Sequence, residues 1–127
     1  MKQPEEILQQ WISSVNSRDI KEILSFYDTK AVLIPTFSNR ILDTSEKISN
    51  YFKTLASKEQ LKVSLRENTI RIQKITGTIS SVCGIYLWTM AVEGEILNFE
   101  ARFSFLFDSS LPSPVLQHHS SQIPRTL

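Results

Sequence analysis

The chain has 127 residues, 41% of them hydrophobic, enough apolar material for the single core of one domain covering residues 1–127. Fourteen Lys and Arg stand against thirteen Asp and Glu, a net charge of +1 with no basic run, so a nucleic-acid partner is not expected. The opening MKQPEEILQQW is polar where a secretory leader needs an apolar segment, and no run approaches the ~20 apolar residues of a spanning helix, so the expectation is a cytoplasmic protein with no membrane partner.

Pro4, Glu5 and Glu6 suit a first helical turn, and Ile7, Leu8, Trp11, Ile12 and Val15 then recur on one face. The stretch NSRD ends that helix. Asp19 and Glu22 have the spacing of an acidic capping box, opening a second helix with Ile20, Ile23, Leu24 and Tyr27 on a shared face. A short strand AVLIP, closed by Pro35, precedes a loop; Asp43 and Glu46 repeat the capping pattern before a third helix marked by Ile48, Tyr51, Phe52 and Leu55 and ending near Ser57.

The period then changes from helical to alternating. LKVSL and IRIQKI read as strands, and Gly77 marks a turn before the long apolar SSVCGIYLWTMAV. EGE, Glu93 to Glu95, is a hairpin turn into LNFEARFSFLF, whose odd positions from Leu97 to Phe107 are all apolar while Asn98, Glu100, Arg102 and Ser104 alternate with them. The strand from Val82 to Val92 is apolar on both sides, with Tyr86, Trp88 and Met90 on one and Ile85, Leu87 and Ala91 on the other. A second apolar face calls for a cover, which another subunit can supply; the alternative is a strand at the middle of a strongly curled sheet, buried by its own chain. The lone cysteine, Cys83, lies in this apolar run and is expected in the core, since no cationic neighbour activates it. VLQHHSS closes the sheet.

Those closing histidines, His118 and His119, are neighbours on a strand, so they point to opposite faces and cannot converge on one metal ion; no metal site is expected. Ser120 and Ser121 likewise gain no catalytic partner from adjacency alone.

Three helices followed by a long antiparallel sheet give an α+β chain, and the segments ILQQWISSVNSRDIKEILSFYD, NYFKTL, ITGTISSVCGIYLWT, FEARFSF and HHSSQIP resemble the association (hub) domain of calcium/calmodulin-dependent protein kinase II and its small stand-alone bacterial relatives. The resemblance implies the NTF2-like, SnoaL-like or cystatin-like cone-shaped roll, with helices packed on a curved antiparallel sheet. It implies a homodimer or higher homo-oligomer acting as a non-catalytic association module, with no cofactor; direct calmodulin binding is not implied. It also implies a pocket between helices and sheet in which buried arginines receive a small anionic, carboxylate-type ligand. Arg102 matches one such arginine, whereas Leu87 stands where a second falls and Ser113 where many members carry a tryptophan. If the even face of its strand lines that pocket, Arg102 and Glu100 share it, Tyr86 and Trp88 supply aromatic walls, and His118 or His119 reaches in. The alternative is an enzyme like ketosteroid isomerase or the SnoaL-like cyclases, acting on a small hydrophobic or carboxylate substrate with Glu100 or a histidine as acid or base. Tyr27, Asp28 and Tyr51 are further groups of the right type, Asp28 being read as a turn residue.

Overall fold

Proline has no amide hydrogen to lose in a first turn, and Pro4 opens α1 (Pro4–Asn16) with Glu5 and Glu6 at its positive end. The apolar stripe of Ile7, Leu8, Trp11, Ile12 and Val15 is buried along its length. Arg18 then turns the chain with a left-handed φ of 57°, and the Asp19 carboxylate caps α2 (Ile20–Ser25) by accepting the Glu22 amide at 3.1 Å. This helix is shorter than its spacing predicts. Tyr27, expected on its apolar face, instead begins β1 (Tyr27–Ile34), because the Phe26 carbonyl takes the Val115 amide at 2.8 Å and commits the chain to sheet pairing. The cap of α3 (Ser45–Ala56) also differs by one residue: Thr44 accepts the Lys47 amide at 3.2 Å, while Asp43 pairs with the Lys47 ammonium at 3.0 Å.

The structure is a computed structural model, and it describes residues 2–124 and 126. Its remaining strands are β2 (Lys62–Leu65), β3 (Arg71–Lys74), β4 (Ile79–Val92), β5 (Glu95–Asp108) and β6 (Val115–Gln122). They form a six-stranded sheet in the order β1-β6-β5-β4-β2, with β3 also on β4. The sheet is mixed rather than antiparallel, since β1 runs parallel to β6 while the other pairs are antiparallel. Parallel pairing is available here because the crossover between β1 and β6 is the whole intervening chain.

Three details fix the long β4–β5 hairpin and its edge. Glu93 and Gly94 both take positive φ, 50° and 83°, the two-residue turn that matches the twist of paired strands. Between β2 and β3 a short 3₁₀ turn, Glu67–Thr69, carries the chain along the β4 edge, and Ile70 crosses over Gly84. A Cβ on Gly84 would meet Ile70 Cδ1 at 2.7 Å, so this glycine provides the close approach.

One hydrophobic cluster joins the helices to the inner face of the sheet through Val63, Val82, Tyr86, Trp88, Met90, Ala101, Phe103, Phe105, Phe107 and Val115. The odd positions of β5 thus face the helices, and Glu100 and Arg102 are exposed on the outer face. Cys83 is half-buried on that outer face, paired with Arg71 and Ser104, rather than in the core. The inner-outer alternation of β4 puts Ile85 and Leu87 on the outer side, where both stay half-buried.

Candidate functional site

The inner face carries a polar thread through an aromatic interior. His118 on β6 is 2% exposed; its ring stacks on Phe105 with centroids 3.8 Å apart and meets Trp11 edge-on at 5.2 Å. Its Nδ1 lies 2.9 Å from the Tyr27 hydroxyl and its Nε2 lies 3.2 Å from the Tyr86 hydroxyl. Trp11 Nε1, which can only donate, gives its hydrogen to Tyr27 Oη at 3.1 Å.

That fixed donor orders the thread. Tyr27 accepts from Trp11 and so directs its own proton to His118 Nδ1, which leaves the imidazole hydrogen on Nε2 to be donated to Tyr86. The Tyr86 hydroxyl in turn lies beside Ser120 and Thr36, whose hydroxyls bond each other. Trp11, Tyr27 and His118 thus each donate to the next member, an order set by the indole N–H, which can donate but not accept.

Electrostatics keep every member of the thread neutral. Burial, helped by the nearby His119, pulls the His118 pKa down to about 3. Desolvation raises Tyr27 well above the usual tyrosine value and raises Tyr86 likewise, against smaller opposing hydrogen bonds. Tyr51, whose hydroxyl accepts the Phe37 amide at 3.4 Å, is pushed up to about 12 by burial. At neutral pH the imidazole does not take a proton and the phenols do not release one. The arrangement therefore presents neutral, positioned hydrogen-bond donors.

A cavity of about 10 Å³ remains beside this thread, lined by Thr36, Tyr51, Tyr86, Trp88, His118 and Ser120 among others. Trp88 Nε1 is buried with no close hydrogen-bond partner among the described residues, and the Tyr86 hydroxyl is the nearby group that its N–H influences. None of the described residues lining the cavity is a carboxylate or a cation.

The sequence-derived candidates divide between the two faces of the sheet. Tyr86, Trp88 and His118 come together inside, whereas Arg102, Glu100 and His119 lie exposed outside, so the even face of β5 does not line the interior cavity and Arg102 does not share it with the aromatic residues. The reason is the strand pattern itself, which turns the four apolar odd side chains from Ala101 to Phe107 inward. Outside, Glu100 approaches Arg66 at 3.7 Å in an open groove that also includes Leu87, Asn98 and Ile123. Asp28 is half-buried at the start of β1 and accepts the Lys30 amide at 2.9 Å in a local turn. Sequence reasoning missed the parts played by Trp11, Thr36 and Ser120. A tryptophan on a buried helix face does call for an acceptor, but nothing local identifies a tyrosine 16 residues on as the one.

A family model described as the calcium/calmodulin dependent protein kinase II association domain matches residues 3–124. The chain belongs to this association-domain family. Among solved structures, one assigned as such an association domain from Xanthomonas campestris superposes with a TM-score of 0.85 at 22% identity, over 96% of this chain and 86% of that one. A ketosteroid isomerase-like protein from Erwinia carotovora atroseptica gives 0.77 at 12% identity, over 95% and 94%. A protein assigned as a dehydratase of the NTF2-like family from Streptomyces avermitilis gives 0.80 at 10% identity, over 95% and 94%. These likenesses show an NTF2-like α+β fold. No curated protein matches the chain. Among the described residues of this association-domain member, no helix is long and apolar enough to cross a membrane.

Proposed function

We propose that the chain is an assembly module that forms a homodimer through the outer face of its sheet. The observation that carries this reading is the half-exposed apolar surface of that face. Val32 and Ile34 of β1, Ile85 and Leu87 of β4 and Leu106 of β5 are half-buried within one chain, and Ile96 and Ile123 are 62% and 42% exposed. Ile34, His119, Ser104 and Cys83 form one row across four strands of this face. A two-fold axis lets such a patch cover itself, and membership of an association-domain family supports that occupant.

Arg102 has no ion-pair or hydrogen-bond partner among the described residues and stands in the row of Ile85 and Ser121. Once covered, its guanidinium requires a carboxylate, which a second copy or a small anionic ligand can provide. The enzymatic alternative draws less support, because none of the described residues lining the interior cavity is the carboxylate base such chemistry uses.

Light scattering coupled to size exclusion tests the module. The expected mass is twice the 14.6 kDa of one chain, and Leu87→Glu should return it to that single-chain value. A single-chain mass for the unaltered protein at tens of micromolar would remove the proposal.

A further inference from the structure

Arg102 and Glu100 stand at the centre of the outer face. β5 is the middle strand of the order β1-β6-β5-β4-β2, and Ala101 lies close to its midpoint. Around these two charges the face is apolar: Ile85 and Leu87 on β4 are their direct cross-strand neighbours, with Val32, Ile34 and Leu106 beyond. Arg102 is exposed and has no partner among the described residues. Glu100 has Arg66 at 3.7 Å, a long contact half in solvent and worth little by itself. Within one chain the two central charges do not pair with each other. The other carboxylate at an even position of β5, Asp108, lies at the strand's end and already accepts from the Ser110 amide and hydroxyl at 3.0 and 2.6 Å.

We propose that in the homodimer Arg102 of each copy pairs with the partner's Glu100, placing two reciprocal ion pairs at the centre of the interface; the pairing rests on the dimer reading above and names the contacts that specify it. A two-fold axis makes one patch cover itself, and it hides most surface when it crosses the patch at its centre. An axis lying between the two sheets and crossing β5 at right angles near Ala101 sets position 102 over the partner's position 100, and position 100 over the partner's position 102. Face-to-face sheets pack about 10 Å apart, a gap that one arginine and one glutamate bridge end to end. Once the surrounding apolar side chains exclude water, a lone guanidinium or carboxylate at this place is costly, and each supplies the counter-charge of the other. The same arrangement fixes the register of the two sheets, because a slip along β5 brings like charges together.

Charge exchange tests the pairing. Glu100→Arg gives each copy two central cations and Arg102→Glu two central anions, so each variant alone meets like charge across the axis. Both positions are exposed in the single chain, so the fold is retained, which circular dichroism checks. By light scattering each variant is expected at the 14.6 kDa of one chain where the unaltered protein is a dimer, an association weakened roughly a hundredfold or more. Mixed in equal amounts, the two variants are expected to form a heterodimer, identified by native mass spectrometry as one copy of each. The chain carrying both Glu100→Arg and Arg102→Glu should dimerise with itself again. Single variants that associate as the unaltered protein does overturn the ion pair and leave the dimer, with its Leu87→Glu response, standing. Loss of the dimer in Arg102→Glu with none in Glu100→Arg gives the arginine a different counter-ion, such as a bound anion, and overturns the pair as well. So does failure of both the mixture and the doubly changed chain to associate. A one-chain mass for the unaltered protein removes the dimer and the pair together.

Discussion

His118 meets solvent protons only when the core opens, because both ring nitrogens are engaged by tyrosines and the ring is stacked on Phe105. Its folded pKa of about 3 lies below the ordinary value of 6.5, so the unfolded chain binds the proton more readily. The stability due to the neutral imidazole is full above pH 6.5 and declines as the pH falls toward 3. Between those limits the slope should approach 1.4 kcal/mol per pH unit, about one proton's worth. Urea unfolding measured from neutral pH down to about 4.5 checks this, since Asp43 and Asp108, whose pKa values are lowered by Lys47 and Ser110, contribute only at lower pH. His118→Gln should flatten that slope. His118→Ala should cost about 3 kcal/mol or more at neutral pH, because it removes a stacked ring and strands two buried hydroxyls.

At the scale of elements, the β4–β5 hairpin depends on a turn that suits only a few residues. Gly94 at φ 83° has open space around it, so Gly94→Val strains the backbone without a steric clash and should destabilise by about 1–2 kcal/mol. Chemical denaturation would register the loss, while a native-like circular dichroism spectrum would show the sheet retained. This hairpin was readable in the sequence from EGE and the flanking alternation. The same alternation also held the answer about Arg102: a face made of Ala101, Phe103, Phe105 and Phe107 has to pack against the helices, and its polar counterpart cannot. The resemblance argued for the opposite face, and burial of four apolar side chains outweighs one matched arginine. Tyr27 misled for a different reason. Ile20, Ile23, Leu24 and Tyr27 fit a helical face by spacing, but Tyr27 is claimed by partners at positions 11 and 118 that no local window contains. Hydrogen bonds of that sequence separation are invisible to periodicity, so the helices and strands were legible while the interior thread was not.

For the whole molecule, association and stability should be linked. If the outer face is covered by a second copy, the folded state gains stability by mass action, and the melting temperature should rise with protein concentration. Scanning calorimetry over a hundredfold concentration range should show that rise in the unaltered protein and its disappearance in Leu87→Glu. A concentration-independent melting temperature in both would count against a dimer held by this face. Such a change leaves the interior untouched, since Leu87 and the His118 network lie on opposite sides of the sheet.

The place of β6 sets the order in which the chain can be completed. β6, Val115–Gln122, follows the other described strands in the sequence, yet it takes an inner position, between β1 and β5. Until this segment emerges, β1 and β5 each present an unpaired edge, and the tyrosines of β1 and β4 lack the imidazole that joins them. Closing β1 onto β6 brings Tyr27 to Val115 across most of the sequence, a contact that carries a large loop entropy and forms late. During synthesis the helices and the long hairpin therefore have to wait, with sticky edges exposed, for β6 to lock them together.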